Sequence, residues 1–175
     1  MNQQHFMTEK ARYLARKLHA GDVRADGRAY FHHVDLVAKN TQKILTEQAQ
    51  WIHSFFHDEI IAAAYMHDLI EDHGNEISLE RIEQQFNKNV AAIIGALTKS
   101  HETYLEYLLG IKSAKGLIGD AARIIKRADI MANYHDTLYY PSNNKHQMKH
   151  LKNKNELAFY ILFGEEINKL KIKKT

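Results

Sequence analysis

The segment Met66-His67-Asp68-Leu69-Ile70-Glu71-Asp72 closes the most apolar stretch of the chain, Ile60-Ile-Ala-Ala-Ala-Tyr-Met66, with four ionisable side chains. If one helix runs from about His57 to Glu71, residues three and four apart share a face. His67 then falls beside Glu71, and Asp68 beside both Glu71 and Asp72. Three carboxylates crowded against an apolar core repel one another and are costly to desolvate, a conflict that a bound cation removes. Acids at a helix C-terminus also oppose the macrodipole, so Glu71 and Asp72 cost stability there unless they have a task. One imidazole and one carboxylate are too few for a tight divalent site, and further ligands must come from elsewhere. Two candidates stand out: His33, at the start of a helix behind a polar loop, and Asp129, a charge embedded in Ile124-Ile-Lys-Arg-Ala-Asp-Ile-Met-Ala-Asn133. Two His and two Asp with open positions for water suit Mn²⁺, Fe²⁺, Mg²⁺ or Zn²⁺ alike.

These residues must be positioned by helices. A single proline and eight glycines leave few breakers, no β-branched run alternates with polar residues, and helix formers dominate the long segments. The expected fold is all-α, a bundle of about eight helices around a central metal site, in one domain spanning residues 1–175. A first helix is predicted from Thr8, as N-cap, to His19, followed by the loop Gly21-Asp-Val-Arg-Ala-Asp-Gly27. A second covers His33 to Glu47, with Val34, Val37, Ala38, Ile44 and Leu45 as its apolar stripe. The third crosses the core from His57 to Glu71. Shorter helices follow from Ser78 toward Phe86, from Val90 to Leu97 and from about Glu102 to Lys112, then long ones over Asp120 to Asp136 and Lys145 to Leu170.

The 175 residues suffice for a core without staples, and cysteine is absent, so a metal site must be built from His, Asp and Glu. The longest apolar run is far too short for a membrane span, and no signal-like segment opens the chain. A soluble, cytoplasmic protein is expected. A net charge of +3 is too small to argue for nucleic-acid or membrane partners, and the basic tail Lys169-Leu-Lys-Ile-Lys-Lys-Thr175 reads as frayed and solvated.

Three motifs in order, His19-Ala-Gly-Asp-Val-Arg24-Ala-Asp-Gly-Arg-Ala-Tyr30-Phe-His-His33, His67-Asp-Leu-Ile-Glu71-Asp72 and Lys126-Arg-Ala-Asp129-Ile-Met-Ala-Asn133, resemble the hydrolase domain of the RelA/SpoT alarmone enzymes, and most closely its small stand-alone versions. The resemblance covers about Arg12 to Asn133. It implies an HD-type, Mn²⁺-dependent removal of the 3′ pyrophosphate from guanosine tetra- or pentaphosphate. It further implies that His33, His67, Asp68 and Asp129 are the metal ligands and that His32 is not. Glu71 and Asp72 match the catalytic acidic pair, Arg24 the arginine that packs on guanine, Asn133 a nucleotide contact, and Lys126 and Lys99 basic positions. The pattern is broken where the family's proline reads Val34, a lysine reads Ala25, and Leu-Ala-Asp-Arg-Leu-His-Asn reads Arg127-Ala-Asp-Ile-Met-Ala-Asn.

In such a site the metal lowers the pKa of a water and polarises a phosphoryl oxygen, while Glu71 or Asp72 positions that water or relays its proton. Arg24 can stack on a base, and Lys126 or Lys99 can face a phosphate. Two other readings share the fold: an HD phosphohydrolase acting on another nucleotide, such as a mono- or triphosphate or NADPH, and a nucleotide sensor without turnover. A second metal would need more histidines, and His53, His57, His73, His101 and His135 are expected on surfaces or loops.

Overall fold

The computed structural model describes residues 3–100, 103–139 and 145–169. Those residues form an all-α fold without strands, in which nine α-helices run in the order α1 (Gln3–Leu18), α2 (Phe31–Glu47), α3 (His57–Tyr65), α4 (Leu69–His73), α5 (Leu79–Gln85), α6 (Lys88–Leu97), α7 (Tyr104–Ser113), α8 (Gly116–Tyr139) and α9 (Lys145–Phe163). Short 3₁₀ turns cover Ser54–Phe56 and Ile167–Lys169.

α3 lies at the centre, against α1, α2 and α6, while α8 packs on α2, α6 and α9. Ala62, Ala63 and Ala64 of α3 are fully buried, as are Ala11 and Ala15 of α1. Small side chains at these positions let the helices approach closely, and Ile60, Met66, Ile93, Ile94, Ile125 and Phe159 fill the remaining space. The apolar stripe predicted for the second helix, Val34, Val37, Ala38, Ile44 and Leu45, is buried throughout.

Local chemistry sets the helix ends. Ser78 caps α5 by accepting from the Arg81 amide, and Asn87 caps α6 through the Val90 amide. Thr103 and Glu106 form a reciprocal capping box at α7. The final helix stops at Phe163 rather than Leu170, because Gly164 takes a left-handed φ of 69° that terminates it. Leu170 itself and the basic tail beyond Lys169, like His101 and Glu102, lie outside the described residues.

Two expectations are corrected here. Thr8 is not an N-cap: α1 begins at Gln3, and the Thr8 hydroxyl is buried inside it with no hydrogen-bond partner. More consequentially, the helix expected from His57 to Glu71 is two helices. α3 ends at Tyr65, Met66 to Asp68 form a turn, and α4 begins at Leu69, which raises the count from about eight to nine among the described residues. Glu71 and Asp72 therefore sit in the first turn of α4, where acids suit the dipole, and not at an unfavourable C-terminus. No described helix is long and apolar enough to cross a membrane.

Candidate metal centre

The break between α3 and α4 orients the first ligand. His67 Nδ1 lies 2.9 Å from the Ala64 carbonyl, and since a carbonyl can only accept, Nδ1 carries the proton. In the neutral ring Nε2 is then a bare lone pair. It faces Asp68 Oδ2 at 2.9 Å and Asp129 Oδ1 at 3.9 Å, from α8. His33, in the first turn of α2, brings its Nε2 to 3.3 Å from the same Asp129 oxygen. The ligand atoms of His33, His67 and Asp129 all lie within 4.8 Å of one another, and all three residues are buried. Asp68 stands beside this trio, in contact with His67.

These atoms fit a divalent cation. His67 Nε2 is buried with no aligned hydrogen-bond partner, although the Asp68 oxygen is close. A lone pair pointing at two carboxylates is repulsive unless a proton or a metal lies between them. With a proton there, burial opposes the charge, but Asp68 and Asp129 outweigh it and push the His67 pKa up to about 9. A cation held by the same oxygens relieves the repulsion equally well. Burial pushes the His33 pKa below its usual value against the pull of Asp129, which keeps that ring neutral, as a ligand must be.

Surrounding groups fix the carboxylates. Asp129 Oδ1 accepts from Asn133 Nδ2 at 2.6 Å, and Oδ2 accepts from Lys126 Nζ at 2.9 Å. Burial alone would raise the Asp129 pKa, but Lys126 and the two histidines hold it well below the usual carboxylate range. Asp68 is likewise held low by His67 against burial, and its Oδ2 accepts from the Tyr30 hydroxyl at 2.5 Å. Burial and the neighbouring Asp68 raise the Tyr30 phenol far above its ordinary value, so it stays a donor at any working pH.

The acidic pair lies next to this centre. Glu71 Oε1 accepts from the Lys99 amide at 2.5 Å, which ties α4 to the segment after α6. Partial desolvation raises the pKa of both Glu71 and Asp72, although both remain open to solvent, and the Asp68 charge raises them further. Lys99 contributes here through its backbone, while the Lys126 ammonium is engaged with Asp129 and sits 5.2 Å over the Tyr107 ring. Arg24 donates to Asn133 Oδ1 at 2.9 Å, pairs with Asp136 at 3.1 Å and lies 5.9 Å over the Tyr30 ring. Arg24, Ala25, Tyr30, Asn133 and Lys154 line a cavity of about 390 Å³, within the roughly 300 to 1,000 Å³ typical of small-molecule sites. Tyr30 and Asn133 are the walls it shares with the metal centre, through their bonds to Asp68 and Asp129.

Residues 11–114 match the family described as the HD domain. The chain belongs to the HD-domain family. HD domains are typically metal-dependent phosphohydrolases, and the buried His and Asp trio supplies a centre on which that chemistry could run. No curated protein matches the chain.

Three features escaped sequence reasoning. Tyr30 entered there only as one residue of the first motif, yet it bonds Asp68; the Tyr-x-x-His spacing was the available signal. His73 is not a loop or surface side chain: it joins His19 and Asp22 in a second cluster. The signal for that was its place immediately after Glu71-Asp72. His135 is also not at the surface but buried in α8, 3.7 Å from Asp136. His53 is exposed, His57 half-buried and the excluded His32 exposed.

Proposed function

We propose that this HD domain hydrolyses guanosine tetra- or pentaphosphate, releasing the 3′ pyrophosphate and leaving GDP or GTP. The observation that carries the reading is the cavity of about 390 Å³ sharing Tyr30 and Asn133 with the metal centre and holding Arg24 over the Tyr30 ring. A base stacked on the Arg24 guanidinium would place the ribose and its phosphates toward Asp68 and Asp129. His33, His67, Asp68 and Asp129 would hold the metal, taken here as Mn²⁺ in keeping with the resemblance to the alarmone hydrolases. Bound there, a divalent cation supplies a water of lowered pKa and polarises a phosphoryl oxygen.

The remaining chemistry falls to the side chains. Glu71, fixed by the Lys99 amide and made more basic by partial desolvation, accepts a proton from the attacking water as the 3′ O–P bond breaks. Asp72, raised in the same way in the same turn, relays that proton to the departing 3′ oxygen. Lys126 holds Asp129 as a carboxylate, and Asn133 bridges that carboxylate to Arg24 at the cavity wall.

A second reading, hydrolysis of a different nucleotide, is favoured by Ala25, a neutral side chain lining the cavity where the alarmone enzymes carry a lysine. The test is product analysis after incubating the Mn²⁺-loaded protein with guanosine tetraphosphate beside nucleoside mono-, di- and triphosphates and NADPH. GDP and pyrophosphate from the tetraphosphate are expected. Turnover of another panel member alone transfers the site to the second reading, and nucleotide binding without turnover makes it a sensor.

A further inference from the structure

We propose that His19, Asp22 and His73 form a second divalent transition-metal site, separate from the His33, His67 and Asp129 centre. Three atoms define it: His19 Nδ1 and Asp22 Oδ2 are 2.8 Å apart, His73 Nε2 and Asp22 Oδ2 2.9 Å, and His73 Nε2 and His19 Nδ1 3.2 Å. Ligands on adjacent corners of an octahedron with bonds of about 2.1 Å lie about 3.0 Å apart, so this near-equilateral triangle has the size of one face of such a coordination shell.

The independent observation is behind His73. Its Nδ1 lies 3.0 Å from Glu76 Oε1, a carboxylate that can only accept, so Nδ1 carries a proton. In the neutral ring Nε2 is then a lone pair, aimed at Asp22 Oδ2 and His19 Nδ1. A carboxylate that fixes the outer nitrogen of a histidine while the inner one faces a cluster is the arrangement by which metal-binding histidines are oriented. His67 is treated the same way by the Ala64 carbonyl at the first centre. Without a cation, that lone pair is met only by a proton on His73 itself or by an Nδ1–H of His19 at 3.2 Å.

The donor set, two imidazoles and one carboxylate, suits a borderline ion such as Zn²⁺. Asp22 has 40 % of its side chain exposed, which leaves a path for the ion and room for waters in the open positions, while His19 is buried. Tyr30 separates the two sites, its ring 4.7 Å from that of His19 and 5.6 Å from that of His33. Asp72 feels the charges of both, from Asp68 on one side and from His19 and His73 on the other. This site stands independently of the substrate reading above.

The test is metal stoichiometry of the full chain, loaded with Zn²⁺, cleared of loosely held ion by gel filtration and analysed by mass spectrometry. His73→Ala and Asp22→Asn are each expected to carry one ion fewer per chain than the wild type. His67→Ala should also lose one ion while retaining the His73-dependent one, which separates failure of this site from failure of the first. Cooperative thermal melts certify that the variants fold, and Asp22→Asn, a near-isosteric change in the loop after α1, decides the matter if His73→Ala does not. Equal zinc content in the wild type, His73→Ala and Asp22→Asn would overturn the proposal.

Discussion

Replacing Tyr30 by Phe removes one oxygen atom and leaves the ring, so the contacts with His19 and His33 survive and the effect isolates the hydrogen bond to Asp68. That bond runs from a buried phenol to a carboxylate held ionised by His67. A hydrogen bond to a charged group contributes about 1.5 to 3 kcal/mol. At about 1.4 kcal/mol per decade this corresponds to roughly 10- to 100-fold in affinity, the range expected when a group orienting a metal ligand is removed. Mn²⁺ affinity, measured by competition with a chromogenic chelator, should therefore weaken by one to two orders of magnitude in Tyr30→Phe. The protein should remain folded, with its helical circular dichroism unchanged. An affinity within twofold of the wild type would refute the idea that Tyr30 positions Asp68 for a metal.

Other outcomes follow from the same geometry. Glu71→Gln should retain metal yet slow phosphate-ester hydrolysis by about 10²- to 10⁴-fold in steady-state assays, since it removes only the proton acceptor. In the metal-free protein, His67 is raised to about 9 in the folded state against about 6.5 unfolded. Its contribution to stability is full below about pH 6.5 and is lost as pH rises through about 9. Thermal melts of the chelated protein should fall across that window, and Mn²⁺ should abolish the fall, because the ion replaces the proton. Phe159→Ala, a fully buried ring on α9, should cost about 3 to 5 kcal/mol in urea unfolding.

The all-α architecture was legible because breakers are few and the apolar spacing of α2 matches its buried face residue by residue. Asp129 was legible as a candidate partner of His67 because a charge inside a core-like helix demands one, and His33 by its place at a helix start behind a polar loop; the structure brings the three together. The break after Tyr65 was not, since Met66-His67-Asp68 carries no glycine or proline and periodicity runs straight through it. At the break the His67 ring bonds the Ala64 carbonyl three residues back while its other nitrogen faces Asp129 of α8, a partner that local pattern does not reveal. The His19, Asp22 and His73 cluster was hidden for a related reason, because it joins the end of α1, a loop and the end of α4, which no local pattern connects. Lys126 reads in the sequence as a charge able to face a phosphate; its bond to Asp129 shows only in three dimensions.

On the proposed function, phosphate-ester cleavage depends on a metal held by His33, His67, Asp68 and Asp129. That dependence is tested most directly by following release of phosphate or pyrophosphate from a nucleotide panel with the chelated protein, with Mn²⁺ restored, and with His67→Ala under the same conditions. Cleavage should appear only with Mn²⁺ and be lost in His67→Ala while that variant still melts cooperatively. Cleavage that persists after chelation, or survives undiminished in His67→Ala, would contradict that dependence.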